Sequence, residues 1–431
     1  MNVIIGAGIS GLTLAYELEK QGKPYLLIES KPTTGGYIHS QPIGHYLLEL
    51  GPNSILVDAK LETFFEELDL MNDFIEASLV NKNRYIYKNN KIKKVPSGPL
   101  ELLFGSFLSL QSKRAILKDL FQKKAFYHTN ESVGYFISSH FTNEIANYIA
   151  APFIAGIYAG DSNNILMESA FPSLYQKYQS EGSVIKSAIK TGAGRKKTGS
   201  FKGGLSTLTK RLFSKINHLK QGTVRKLHKV NQHWQIELAD NEVIVADSVT
   251  ICTPTFVASE ILRSGYPDIS ESLDQVKYAG VIGMYYSFKK KDIKLKTDGF
   301  GVLFPPIEKQ WISGTIWNSS IFNDRAPEDE FLCTSFISDM VQKDLWKMNE
   351  GEIFDQTLKQ LQRDLQTNQA PVFSFLKKWN KGIPQYTIEL KQAVEKVKLL
   401  EKENLYCCAN WVNGIALPTC IENARRLSTI L

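Results

Sequence analysis

Met1-Asn2-Val3-Ile4-Ile5 runs directly into Gly6-Ala7-Gly8-Ile9-Ser10-Gly11, and residues 12–21 then read as a helix. A β-branched run, a G-x-G-x-x-G turn and a helix, in that order, are what a dinucleotide-binding βαβ unit requires. The first glycine lets the chain turn sharply. The second leaves no side chain to block a pyrophosphate, and the third lets helix and strand lie close. The helix start offers free N–H groups and a partial positive charge to phosphate. A second strand follows at Tyr25-Leu26-Leu27-Ile28, with Glu29 and Ser30 at its end. A carboxylate in that place accepts hydrogen bonds from a ribose 2′-hydroxyl.

Further along come Gly35-Gly36, then Tyr37, and later Glu49-Leu50-Gly51-Pro52. A glycine pair soon after the ribose acid lets a loop cross the phosphates of FAD, whereas NAD-only domains rarely carry one. The residues therefore point to FAD, held by the 6–11 loop and Glu29. Gly35, Gly36 and Tyr37 are expected near the phosphates, and Gly51, Pro52, Asn53 and Ser54 near the flavin.

Composition sets the bounds. A chain of 431 residues buries a large core and is expected to hold two or more domains. Hydrophobic content of 43% and charged content of 22% are ordinary for a globular protein. No apolar run is long enough to predict a transmembrane helix, and no basic stretch precedes the first strand as in a signal peptide. The five cysteines (Cys252, Cys333, Cys407, Cys408, Cys420) lack metal-ligand spacing and read as reduced thiols of a cytoplasmic protein. No H-E-x-x-H or G-x-S-x-G occurs, so neither a metal centre nor a serine hydrolase is expected. The net charge of +7 is uneven: residues 82–124 hold eleven Lys and Arg against Glu101 and Asp119, leaving the remainder slightly acidic. Such a segment suits anionic lipid, nucleic acid or an acidic substrate. Its basic residues alternate with apolar helix faces, which suits a lipid surface and argues against nucleic acid.

The pattern divides the chain into five segments. Residues 1–85 form a first part of the FAD-binding domain. Residues 86–190 hold a hairpin and a helical insertion, facing substrate or membrane. Residues 191–275 return to the FAD domain, 276–395 form a substrate-binding sheet domain, and 396–431 close the FAD domain. The expected class is α/β, with a Rossmann-type FAD-binding domain, an antiparallel-sheet substrate domain and a helical insertion. Residues 85–87 and 92–95, around Asn89-Asn90, read as a β-hairpin. Residues 191–200, rich in Gly, Lys and Thr, read as a loop. Within residues 100–153 a helical stripe is expected from Leu100, Leu103, Phe104, Phe107 and Leu108. Lys113, Arg114, Lys118, Lys123 and Lys124 follow it. Two readings stay open for it: docking on an anionic membrane beside the substrate entrance, or a helical pair packed on the body with a solvated basic face.

With these motifs in place the chain resembles the FAD-dependent protoporphyrinogen oxidases, within the amine oxidase-like flavoprotein superfamily. The superfamily likeness rests on residues 6–11, Glu29, Gly35-Gly36 and Glu49-Leu50-Gly51-Pro52. The narrower likeness rests on Gly156-Ile157-Tyr158-Ala159-Gly160-Asp161, Phe171-Pro172-Ser173-Leu174-Tyr175, Phe201-Lys202-Gly203-Gly204-Leu205, Ile383-Pro384-Gln385-Tyr386 and the run from Gly414 to Glu422. Three departures stand out. Relatives often carry Arg after the glycine pair, where this chain has Tyr37. Some place an Arg after a Pro-Ser/Thr-Gly turn, where here Pro96-Ser97-Gly98 leads to Pro99-Leu100. The last loop has Leu417-Pro418-Thr419 in place of a further Gly or Asp.

The resemblance implies oxidation of protoporphyrinogen IX to protoporphyrin IX, with O2 as acceptor and H2O2 released, in porphyrin and heme biosynthesis. It implies that the flavin carries the chemistry, so no catalytic side chain is assigned. It places Val224 against the adenine, and Ile415, Ala416 and Leu417 at a last helix whose N–H groups face the flavin or ribityl chain. The expected location is cytoplasmic, and peripheral on the inner face of the cell membrane where the docking reading of the basic segment holds. Alternatives are a coproporphyrinogen III oxidase, another amine oxidase-like flavoenzyme, or a non-enzymatic flavin-binding membrane-surface adaptor.

Overall fold

The computed structural model describes residues 1–192 and 196–431, and of Pro99 and Leu100 the backbone alone. The opening stretch folds as β1 (Asn2–Ile5), α1 (Ile9–Lys20) and β2 (Tyr25–Glu29). Strand β1 pairs in parallel with β2 and with Ser248–Ile251. Leu219–Gln221 extends the sheet beyond β2, and Leu405–Cys407 extends it beyond Ser248–Ile251. Five parallel strands from distant parts of the chain thus make one layer. Val3 and Ile5 enter one core with Leu227 and Trp234 of the antiparallel sheet Val224–Val230, His233–Leu238 and Val243–Ala246. Ile4 and Leu27 enter the opposite core with Leu12 and Leu14 of α1 and Ile421 and Ala424 of the helix Leu417–Ser428. Burial on both faces is why β1 and β2 read as nearly unbroken apolar runs. Each such side chain contributes about 1.5–3 kcal/mol.

A seven-stranded sheet forms the second layer. Its order is Phe373–Pro384, Tyr278–Lys289, Glu330–Ser338, Gly314–Ile316, Gly301–Leu303, Tyr85–Lys88, Lys91–Lys94. All neighbours are antiparallel except Gly301–Leu303 with Tyr85–Lys88. The hairpin grouped above with the helical insertion is therefore the edge of this sheet. Local pattern carries no trace of that single parallel pairing between distant segments. Residues 197–200, read as loop, belong to the strand Lys197–Phe201 between Ile55–Val57 and Phe74–Glu76. Partners on both sides override a weak intrinsic preference. Gly199 is needed there because a Cβ would stand 2.3 Å from the Phe74 ring. Residues 193–195 of that predicted loop lie outside the described residues.

The insertion between the sheets is helical, from Pro99–Phe104 and Leu110–Leu120 to Val184–Thr191. The single stripe expected over residues 100–108 does not form. The first helix ends at Phe104, capped by Gly105, so Phe107 and Leu108 leave its register. Both are buried with Ile86, Ile116 and Ile145, whereas Phe104 is 82% exposed. The side chain of Leu100 lies outside the described residues. The exposed stripe belongs instead to the next helix: Leu110 and Leu117, then Phe121 just past its end, recur at helical spacing and face outward. Lys88 is buried too, donating to Phe107 O (2.7 Å) and Glu144 Oε1 (2.6 Å). Among the described residues no helix is long and apolar enough to cross a membrane.

Candidate functional site

The glycine turn is built as its spacing demands. Gly6 has φ +103°, a conformation that L side chains rarely adopt. A Cβ on Gly11 would sit 1.9 Å from Gly6 O, so α1 can approach β1 only with glycine there. A Cβ on Gly8 would meet nothing within 4 Å, so the space in front of this position is open. Gly8 caps α1 without a side-chain hydrogen bond, and no acidic residue stands in the first turn. The leading N–H groups of Ile9 and Ser10 are thus left to a ligand.

Glu29, ending β2, reaches back to this turn. Its Oε2 accepts from Ala7 N–H (2.7 Å) and its Oε1 from Lys31 N–H (2.9 Å). Ser30 Oγ lies 3.3 Å from the same Oε1. The carboxylate stays half-exposed, with lone pairs left for a diol. The glycine pair lies across the first turn. Gly35 N–H donates to Ala7 O (2.8 Å), and a Cβ on Gly36 would stand 3.1 Å from Gly8 Cα. Tyr37 donates to Lys381 O (2.9 Å) and packs on Trp379, which ties the loop to the seven-stranded sheet. Burial raises its hydroxyl pKa.

The segment 51–54 continues along the seam between the two layers. A Cβ on Gly51 would fall 2.0 Å from Tyr37 O. Asn53 is nearly buried, while Pro52 and Ser54 are half-buried beside it. Val224, buried, begins its strand next to Gly222, whose N–H donates to Glu29 O (2.9 Å). Ala416 caps the helix Leu417–Ser428, again without a side-chain cap or an acid in the first turn. Leu417 and Ile9 pack on one core, Ile415 packs on the other, and the Ser10 hydroxyl meets the Cys420 thiol. Two open helix starts therefore adjoin. The structure gathers the 6–11 turn, Glu29, Ser30, residues 35–37 and 51–54, Val224 and residues 415–417 into one cradle. Its open glycine, uncapped helix starts and half-exposed carboxylate fit a dinucleotide.

Several residues behind the cradle carried no assignment in the sequence. Glu49 is buried; its Oε2 accepts from Ser40 Oγ (2.6 Å) and its Oε1 from Leu205 N–H (2.8 Å). Buried Arg325 stands 3.7 Å away and pairs with Asp324. Burial pushes the Glu49 carboxyl up to about 7, against the pull of Ser40 and Arg325. Glu49 thus pins the return segment 201–205 to the first domain, and nothing local in the sequence marks Arg325 as its partner. Gln385 donates to Tyr158 O (2.8 Å) and Ile383 O (3.0 Å), and a Cβ on Gly160 would collide with its side chain. Tyr386 donates to Asn410 O (2.7 Å) and accepts at its carbonyl from Leu166 N–H (2.9 Å). The Ile383-Pro384-Gln385-Tyr386 motif therefore fastens the insertion to the loop that leads to residues 415–417. A surface cavity of about 370 Å³ lined by Phe256, Tyr278 and Lys381 contains none of the cradle residues.

Residues 9–430 match the flavin containing amine oxidoreductase family. The chain is 28% identical to protoporphyrinogen oxidase 2, chloroplastic/mitochondrial, of Arabidopsis thaliana, over 99% of this chain and 93% of that one. It is 25% identical to coproporphyrinogen III oxidase of Bacillus subtilis (strain 168), over 98% and 96% respectively. A solved structure from Exiguobacterium sp. 255-15 has the same fold, with TM-score 0.81 at 18% identity, over 100% of this chain and 98% of that one.

Proposed function

Because the chain belongs to the flavin-containing amine oxidoreductase family, we propose that it binds FAD in this cradle and oxidises protoporphyrinogen IX to protoporphyrin IX, passing the electrons to O2 as H2O2. The observation that carries this reading is the match to a protoporphyrinogen oxidase over 99% of the chain. The oxidoreductase family sets aside the non-enzymatic adaptor. Bound flavin supplies the acceptor for two electrons at a time. Glu29 holds the ribose, and the openings of α1 and of Leu417–Ser428 face the phosphates and ribityl chain. Residues 51–54 approach the flavin ring from the seam. A porphyrinogen methylene loses hydride to give a cation stabilised by its own pyrroles, and a pyrrole N–H releases the proton. No side chain of this protein is then required as acid or base. The pocket wall's work is to exclude water and orient the macrocycle.

Coproporphyrinogen III is the second reading, favoured by the near full-length match to the Bacillus subtilis enzyme. Porphyrin fluorescence with each porphyrinogen separates the two. Faster turnover of protoporphyrinogen supports the first reading, and faster turnover of coproporphyrinogen replaces it. We place the protein in the cytoplasm, peripheral on the inner face of the cell membrane. The exposed Phe104, Leu110, Leu117 and Phe121, beside Lys113, Arg114, Lys118, Lys123 and Lys124, suit an anionic lipid surface.

A further inference from the structure

Asn53 sits at the end of a buried hydrogen-bond relay whose other members come from the seven-stranded sheet side. Thr334 Oγ1 donates to Asn318 Oδ1 (2.8 Å), and Asn318 Nδ2 donates to Asn53 Oδ1 (2.8 Å). Asn53 Nδ2 donates to Gly51 O (3.2 Å). Thr334, Asn318 and Asn53 are all at least nine-tenths buried. The direction of this relay is fixed at one end. Gly51 O can only accept, so Asn53 must turn its amide nitrogen toward it and its oxygen toward Asn318. Asn318 must then present its own nitrogen, which leaves its oxygen for Thr334, and the threonine hydroxyl must donate. Reversing any member would set two acceptors face to face.

The same segment is held a second time from the same sheet, by Tyr285 donating to Glu49 O (2.6 Å). Asn53 Nδ2 carries two hydrogens, and Gly51 uses one. We propose that Asn318, backed by Thr334, is a positioning residue: it fixes the Asn53 amide so that its second N–H is presented to the isoalloxazine of bound FAD. This rests on the reading that residues 51–54 face the flavin ring.

The test reads the flavin itself in the FAD-loaded protein, through its visible absorbance and its reduction midpoint. Asn318→Asp keeps the shape but, when ionised, turns an acceptor toward Asn53 Oδ1 and so draws the Asn53 amide nitrogen away from Gly51 O. The expected result is a spectrum and midpoint displaced from wild type at alkaline pH. Both return toward wild type on acidification, when the protonated carboxyl regains a donor; wild type stays constant over the same range. Thr334→Val, which removes the far donor, is expected to displace both signals, and Thr334→Ser to restore them. A general loss of packing would produce neither the pH-dependent return nor the rescue by serine. Asn53→Ala serves as the reference. If it moves the flavin signals while the Asn318 and Thr334 variants do not, positioning by Asn318 is overturned and the placement of the flavin stands. If none of the variants moves them while FAD remains bound, residues 51–54 do not face the ring and both claims fall.

Discussion

Gly8 and Gly11 occupy one turn and answer to different demands. At Gly11 a Cβ would meet backbone at 1.9 Å, a contact that only movement of α1 relieves. Gly11→Ala is expected to destabilise the protein itself by about 1–3 kcal/mol in denaturant titration. At Gly8 the backbone is extended and the space is open, so Gly8→Ala is expected to leave the stability of the FAD-free protein unchanged. The added methyl would stand where phosphate must approach, so FAD affinity should fall at least about tenfold, or 1.4 kcal/mol. Equal affinities for Gly8→Ala and wild type would remove the dinucleotide from this turn. The motif alone supplied both glycines, because its spacing is a geometric requirement. It could not supply Asn318, Thr334 or Arg325, whose partners lie far away in the chain. Glu49 gives a second residue-scale expectation. Its carboxyl titrates at about 7 rather than at the ordinary 4.5. Between those values the folded protein binds more protons than the unfolded chain. The stabilising contribution is therefore complete below about 4.5 and is lost as pH rises through about 7. In Glu49→Gln that part of the stability–pH slope should vanish. A slope equal to that of wild type would place the titration elsewhere.

Among the elements, the hairpin and the insertion show where sequence pattern stops. The alternation over residues 85–95 marks a hairpin, but only the fold shows that it finishes a sheet and is clamped to the helices by Lys88 and Glu144. The clamp is nearly buried on the lysine side. Burial would raise the Glu144 carboxyl, but Lys88, Ser112 and Ser109 outweigh it and hold it down at about 2. Its contribution is thus present above the ordinary carboxylate value and is lost as pH falls toward about 2. Lys88→Ala, which removes the cation but leaves Glu144 bonded to Ser109 and Ser112, should cost about 1–3 kcal/mol at neutral pH, with a smaller penalty in strong acid. An unchanged unfolding midpoint would show that the clamp does not hold the hairpin. The stripe over residues 100–108 failed because a helix end was hidden in it: Gly105 stops the helix, and Phe107 and Leu108 turn inward. The outward face follows from the next helix. Wild type should co-sediment with anionic vesicles, and Phe104→Glu with Phe121→Glu, or high salt, should reduce binding. Phe107→Glu should instead destabilise the fold, since it buries a charge. Equal vesicle binding by wild type and the double variant would refute docking.

At the scale of the molecule, the class of the fold was legible because its first unit is local. Strand, turn, helix, strand and acid fall within the first thirty residues. The closing of that unit was less legible. Three of the four pairings in its sheet join segments far apart in the chain, and the short strands themselves do not encode that order. The cradle follows from that closure: it needs the returning segment pinned by Glu49 and the final helix set beside α1. If this cradle delivers a flavin to a porphyrinogen, the bound flavin must take electrons from that substrate in the absence of oxygen. The purified, FAD-loaded protein is mixed with protoporphyrinogen under strict exclusion of oxygen while its visible absorbance is followed, and air is then admitted. The flavin is expected to bleach, and its colour to return with release of H2O2. A flavin left oxidised by porphyrinogens but bleached by simple primary amines would contradict it.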